Sequence, residues 1–330
     1  MKTLKLGVLG ASRHFITRVL PALQKSEFIA VYGIASRDGE KARETAARYG
    51  IPHHFASYEG LLQDPAVDFV YIPLPNDLHA EWIRRSADSG KHIICEKPLA
   101  MNAPEAAAAI AYAREKGVQI MEAFMYRLHP QWQRVLELVR FEEIGRISAI
   151  HTIFSYANND PKNIRNIRAN GGGALYDIGC YAVSTARFVM QAEPSRVFCA
   201  MNVDPQFQTD VLTNGVLDFG TARALFSVST QSFPQQRVQV FGTGGSITVE
   251  IPFNMPADVP AKVTVQTGVA TRILEIGPAD QYRLEFEAFG QAIANGAALP
   301  IPAEDAVNNM KVLDALFRSA ASGQWETLPG

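Results

Sequence analysis

The 330-residue chain is too long for one ordinary hydrophobic core and comfortable for two. Its composition, 47% hydrophobic and 19% charged, excludes a disordered chain; a net charge of -2, from 31 Lys+Arg against 33 Asp+Glu with no long basic run, argues against nucleic acid as a partner. No apolar run approaches the roughly 20 residues needed to span a bilayer, and Cys95, Cys180 and Cys199 lack metal-ligand spacing, as in a reduced cytoplasmic protein without a structural metal.

Residues 1–9 form a short apolar run ending at Gly10; without a signal peptide's longer core and cleavage site, it reads as a first strand. In chain order, residues 5–9, 28–34, 67–72, 92–95 and 118–121 are apolar runs of strand length. Helix-like segments lie between them at 17–25, 39–49, 78–89 and 104–116, the last with Pro104 in its first turn. Continuous apolar strands alternating with helices predict a parallel sheet covered on both faces, an α/β unit over residues 1–122. The rhythm then changes. A helix at 131–140, a strand at 147–155 and a Gly-rich turn opening a helix to about Met190 precede alternating runs between Val197 and Ile276, with helices at 281–295 and 303–322 to close. This predicts a second, α+β unit over residues 123–330 with a mostly antiparallel sheet. With a single helical layer available, that sheet is expected to be open on one face and to pair with another copy, as a homodimer or homotetramer.

Between the first strand and first helix stand Gly10-Ala11-Ser12-Arg13-His14-Phe15. The dinucleotide fingerprint G-x-G-x-x-G belongs there, so that backbone can approach a pyrophosphate at a helix N-terminus. Gly10 fills the first glycine position, while Ser12 and Phe15 occupy the second and third. The strict pattern fails, leaving a plain strand–helix turn as the competing reading. Serine is small and can donate to a phosphate; Phe15 predicts looser helix–strand packing. At the second strand tip the chain reads Ala35-Ser36-Arg37, where NAD enzymes usually carry an acid for the ribose 2′-hydroxyl. A guanidinium suits a phosphate instead, so NADP is favoured over NAD. Asp38 has the competing role of capping the next helix.

His92-Ile93-Ile94-Cys95-Glu96-Lys97-Pro98 sets a lysine at the carboxyl edge of a strand, where doubly wound sheets bind ligands. In Gly171-Gly172-Gly173-Ala174-Leu175-Tyr176-Asp177-Ile178-Gly179-Cys180-Tyr181, Asp177 and Tyr181 are spaced to share a helix face, and the glycines would admit backbone close to a ligand. A solvated lysine and a core tyrosine are the plainer readings of each segment alone.

Together, Glu96–Pro98 and the G-G-G-x-L-x-D-x-G of Gly171–Gly179, in this order behind a dinucleotide-type unit, resemble the glucose–fructose oxidoreductase, inositol dehydrogenase and MocA family (Gfo/Idh/MocA) over essentially the whole chain. The resemblance implies a Rossmann domain followed by a substrate-binding and oligomerisation domain. Many members carry histidine where Tyr181 stands. The tyrosine resembles the branch of glucose–fructose oxidoreductase, dimeric dihydrodiol dehydrogenase, NADP-dependent xylose dehydrogenases and some sugar 3-ketoreductases, in which the lysine and tyrosine work as a pair.

That resemblance implies an NADP(H)-dependent oxidoreductase acting on a sugar or sugar-like alcohol or carbonyl. A free tyrosine titrates at about 10, and a nearby ammonium lowers that value. Tyr181 is therefore expected to be the acid/base, Lys97 its tuning partner, and Asp177 an orienting group. Leu74, Asn76 and His79, in the segment opened by Pro73, are further cofactor candidates beside Glu96, Lys97 and Glu122. Arg127, close to His129, Tyr156, Asn158, Arg165 and Arg168 are candidates for substrate, though a salt bridge or plain loop polarity would explain them equally. His53, His54 and His151 show no ligand-like pattern. Two alternatives remain: a glucose–fructose-type oxidoreductase with tightly held cofactor, and an NADP-binding regulator without turnover.

Overall fold

The structure, a computed structural model, describes residues 3–268 and 270–328. The chain divides into two compact units, Met1–Phe124 with Tyr282–Val307, and Met125–Gln281 with Asn308–Gly330.

The first unit opens with β1 (Leu4–Leu9), a π-helical turn (Phe15–Val19) that continues as α1 (Leu20–Leu23), β2 (Ile29–Ala35), α2 (Gly39–Tyr49), β3 (His53–Phe55) and α3 (Tyr58–Leu62). There follow β4 (Phe69–Ile72), α4 (Asn76–Asp88), β5 (His92–Glu96), α5 (Ala103–Glu115) and β6 (Ile120–Ala123). Six parallel strands lie in the order β3-β2-β1-β4-β5-β6, so the chain reverses direction across the sheet beside β1, where such folds bind their ligands. β4 is buried along its whole length, and β5 everywhere except its two end residues, as strands covered on both faces must be. Asp38, Ser57 and Asn102 cap α2, α3 and α5 with their side-chain oxygens.

In the second unit, α6 (Pro130–Arg140), β7 (Ile147–Ala157), a π-helical turn (Leu175–Gly179) and α7 (Cys180–Met190) come first. Next are β8 (Arg196–Val203), β9 (Asp210–Asp218), β10 (Arg223–Ser229), β11 (Gln231–Gly242), β12 (Gly245–Val249), β13 (Ala261–Thr267) and β14 (Ala270–Ile276). The helices α8 (Gln281–Asn295) and α9 (Ala303–Ser322) and the short β15 (Glu326–Thr327) end the chain. The sheet runs β14-β13-β12-β11-β7-β10-β9-β8-β15; every pairing is antiparallel except β7 with β10. Ile150, Phe154, Phe226, Val228, Val238 and Val240 are buried on one face. The other face carries Ile153, Leu225 and Ile273 at 40%, 39% and 60% exposure, the alternation expected of an antiparallel sheet with one open side.

By contact, the first compact unit ends at Phe124, two residues past the expected boundary at 122, and takes in a later segment. Tyr282–Val307 clusters with the first unit. The physical reason is aromatic: Phe286 of α8 stands edge-on to Tyr71 at 5.2 Å, and Phe289 packs on Phe69 at 5.6 Å. Gly290 keeps the helix close, because a Cβ there would lie 2.7 Å from Ile29 Cδ1 and 3.0 Å from Phe28 Cε1.

Candidate active site

Residues of the glycine loop follow directly from β1. Gly10 has φ +124°, which L side chains rarely adopt, and an added Cβ would reach within 3.0 Å of Leu74 Cδ2, so only glycine lets the backbone lie bare here. Ala11 is buried, Arg13 exposed, and Ser12 Oγ accepts from Phe15 N at 3.1 Å, capping the turn that follows. Phe15 does not loosen the packing as expected: it is fully buried 6.2 Å from Tyr71, and the helix accommodates it by opening as a π-turn.

At the tip of β2, Ser36 is nearly buried and Arg37 exposed. Asp38 takes its helix-capping role, Oδ1 accepting from Glu40 N and Lys41 N at 3.1 Å each. The nearest carboxylate is thus engaged, and the guanidinium is the group offered to a ligand. A bare glycine loop and this β2 tip fit a dinucleotide bearing a 2′-phosphate.

Beyond β4, Leu74 is buried and Asn76 half-buried. His79 is fully buried, with Nδ1 2.9 Å from Pro98 O and Nε2 2.9 Å from Leu74 O, so its ring nitrogens tie two loops together. Glu122 is 1% exposed, and its Oε1 accepts from Leu99 N at 2.8 Å, which fixes the loop after β5 from within.

Glu96 and Lys97 lie at the carboxyl end of β5, both half-buried, with a cis peptide joining Lys97 to Pro98. Tyr71 donates to Glu96 Oε1 at 2.5 Å and His14 Nε2 stands 3.4 Å from it. Burial pushes the Glu96 carboxyl up, but the charge and hydrogen bond of His14, then Lys97 and Tyr71, outweigh it and hold it at about 2. Glu285 of α8, fully buried, is pushed well up by burial and by the Glu96 charge. Neither Tyr71 nor Glu285 carries a sequence signal, since each reads as a core or surface residue of its element.

The second unit holds Asp177 and Tyr181. Asp177 Oδ2 accepts from Tyr156 Oη at 2.6 Å and from Arg165 Nε at 3.0 Å. Arg165 is raised chiefly by the Asp177 charge, with Tyr156 and Tyr181 adding attraction, so Arg165 lies within electrostatic reach of the Tyr181 phenol. Burial, and then the Asp177 charge, keep Tyr156 protonated. Tyr181 is 6% exposed among Tyr126, Phe154 and Phe253, and donates to Met125 Sδ at 3.6 Å. Asn158 is half-buried and its carbonyl accepts from the buried Asn166, while Arg168 is exposed. Arg127 lies over the Phe188 ring at 4.5 Å, a cation–π contact. Buried His129 is pushed down to about 4 by its surroundings, and Nδ1 accepts from Gln131 N.

Gly172 and Gly173 of the turn lie close against other parts of the protein. A Cβ on Gly172 would lie 2.6 Å from Arg165 O, and one on Gly173 (φ +121°) would strike the Asp210 carboxylate. Asp210, which the sequence does not single out, is buried and its Oδ2 accepts from Leu175 N at 2.7 Å and from Thr213 Oγ1 at 2.6 Å. It anchors the start of the helix that carries Asp177 and Tyr181. Gly173→Ala combines backbone strain with loss of this seat, and is expected to cost about 3 kcal/mol or more. Chemical denaturation checks this; a loss below about 1 kcal/mol would refute it.

These features are those of a dinucleotide-dependent oxidoreductase, and comparison with known proteins agrees. Residues 4–124 match the model of an oxidoreductase family with an NAD-binding Rossmann fold, and residues 132–248 match the GFO/IDH/MocA C-terminal domain. The chain belongs to the GFO/IDH/MocA family of oxidoreductases. It is 39% identical over 321 residues to D-xylose 1-dehydrogenase (NADP(+)) 2 of Haloferax volcanii, covering 96% of this chain and 97% of that one. KijD10, a 3-ketoreductase from Actinomadura kijaniata in complex with NADP and TDP-benzene, superposes with a TM-score of 0.91 at 30% identity, over 96% of this chain and 98% of its own. Aldose-aldose oxidoreductase from Caulobacter crescentus, complexed with glycerol, reaches 0.91 at 25% identity over 99% and 100%. Among the described residues no helix is long and apolar enough to cross a membrane, and no group of three or more His, Cys, Asp or Glu could hold a metal ion.

Proposed function

We propose that this protein is an NADP(H)-dependent oxidoreductase that moves a hydride between nicotinamide and a sugar or sugar-like alcohol or carbonyl, with Tyr181 as acid/base and Lys97 as its partner. The observation that supports it most is the β2 tip, where Arg37 is exposed while Asp38 is engaged as a helix cap. The NADP-named xylose dehydrogenase and the NADP complex of KijD10 support the same cofactor.

In this reading, residues Gly10 to Phe15 would cradle the pyrophosphate, Ser36 and Arg37 the 2′-phosphate, and Leu74, Asn76 and the Glu96-Lys97 strand end the nicotinamide half. When bound, the nicotinamide supplies or accepts the hydride. The Tyr181 hydroxyl gives its proton to the substrate oxygen during reduction and takes it back during oxidation. The Lys97 ammonium favours the phenolate and donates to that same oxygen. Asp177 fixes Arg165 and Tyr156 as a polar wall for the remaining substrate hydroxyls, with Arg127, Asn158 and Arg168 as further substrate contacts. An aldose, ketose and diol panel read by nicotinamide absorbance tests this: turnover with at least one substrate, faster with NADP than with NAD, is expected, and no turnover with any would sink the reading.

We further propose a cytoplasmic homodimer or homotetramer joined through the open face of the nine-stranded sheet, supported by the exposed Ile153, Leu225 and Ile273. Light scattering should return two or four chain masses; a monomer at micromolar concentration would exclude the assembly.

A further inference from the structure

We propose that Gln281 is a positioning residue for the reaction: its side-chain amide holds the Phe253 carbonyl, and with it the ring against which the Tyr181 phenol packs. The inference rests on the reading of Tyr181 as acid/base and adds to it a residue distant in the chain.

Phe253 is fully buried and touches every ring of the group around Tyr181. Its centroid lies 5.1 Å from Tyr181, 5.3 Å from Tyr126 and, stacked, 4.9 Å from Phe154. It is also the nearest of the three rings to the phenol, since Tyr126 and Phe154 both stand at 5.7 Å. Yet Phe253 belongs to no strand; it lies in the loop between β12 and β13. Buried backbone groups must find partners, and in this loop side chains supply them. Gln131 Nε2 donates to Ile251 O at 3.1 Å, and Trp132 Nε1 to Pro252 O at 2.8 Å. Gln281 Nε2 donates to Phe253 O at 2.7 Å. Gln236 Oε1 accepts from Phe253 N at 3.0 Å and from Asn254 N at 3.1 Å.

These grips come from α6, β11 and α8, and Gln281 makes the shortest of them, on the residue that carries the ring. Gln281 is 2% exposed, and its Oε1 is buried without a hydrogen-bond partner. Burying an amide with one end unsatisfied costs stability that an apolar side chain of the same shape would not. Where Gln281 puts Phe253 therefore explains the residue better than what it adds to the core. Position matters because the Met125 thioether is a soft, weak acceptor for the Tyr181 hydroxyl, which leaves packing a large share in placing the ring. A displacement of about 1 Å in a group that must meet the substrate oxygen can cost about 10²-fold in rate.

Gln281→Met keeps the length of the side chain and deletes the donor; Phe253→Leu keeps the place apolar and deletes the ring. Each should lower kcat about tenfold, with the substrate KM and the NADPH dissociation constant moving less than about twofold. The double variant should fall no more than about twofold below Phe253→Leu alone, because the amide acts through the ring. Val265→Ala, at a buried position of β13, is the control: its melting temperature should drop while kcat stays within about twofold of wild type. An unchanged kcat in Gln281→Met, a loss carried by KM, or losses that multiply in the double variant overturns the proposal. So does an equal fall of kcat in Val265→Ala, or a Gln281→Met chain that does not fold, since either makes the role one of stability alone. Tyr181→Phe, measured alongside, separates the two levels. If it loses rate and Gln281→Met does not, the role of Gln281 alone is wrong. If Tyr181→Phe keeps its rate, the reading of Tyr181 fails and this proposal falls with it.

Discussion

Tyr181→Phe is expected to lower kcat by about 10²- to 10³-fold while NADPH binding stays within about twofold of wild type. The substitution is unusually clean because of where the ring lies. Tyr126, Phe154 and Phe253 surround it with centroids 5.7, 5.7 and 5.1 Å away, and a phenylalanine fills the same volume. The hydroxyl donates to a thioether, Met125 Sδ, a soft and weak acceptor whose loss costs little. Stability should therefore change by less than about 1 kcal/mol, so a fall in turnover reports lost proton transfer and not a damaged core. Steady-state kinetics beside a thermal melt decide it: a kcat within threefold of wild type removes Tyr181 from the chemistry.

Lys97→Met should reduce kcat/KM by about 10²- to 10⁴-fold and move the pH profile. If the ammonium favours the phenolate, its removal raises the pH at which Tyr181 ionises, and the limb of the profile that reports this ionisation moves upward by about one unit or more. In Tyr181→Phe that limb disappears. Methionine retains an apolar stem, so packing between β5 and Pro98 is largely preserved. Lys97 is also one of the groups that holds the Glu96 carboxyl at about 2. Its loss lets that carboxyl rise, but His14 and Tyr71 remain, and Glu96 stays ionised at neutral pH. A variant with full loss of rate and an unmoved limb would make Lys97 a substrate anchor and not the partner of the phenol.

The sequence reveals local order well and distant contacts poorly. Helix α2 is legible because Asp38 caps one end and Gly50, at φ +69°, closes the other. The five buried parallel strands are legible from their apolar runs. In contrast, β3 and α3 leave little trace: His53, His54 and Phe55 form a three-residue edge strand with no apolar alternation, and Tyr58 looks like any aromatic at a helix start. The polar candidates divide by burial, which residue type does not disclose. His79 and Glu122 resemble ligand-binding groups in sequence but brace loops inside the core, whereas Arg37 is open to a ligand. For Gly173, the need for bare backbone is readable, but what approaches it is not, because Asp210 arrives from β9.

The return of α8 to the first sheet bears on how the molecule is made. A ribosome that has released only the first 124 residues has delivered all six parallel strands, yet not Phe286 and Phe289, which cover Tyr71 and Phe69. The nascent nucleotide-binding half thus lacks the rings that cover one side of Tyr71 and Phe69 until most of the polypeptide has emerged. An excised fragment ending there would inherit the same sticky flank, and any graft of this half onto another protein needs Tyr282–Val307 supplied as well.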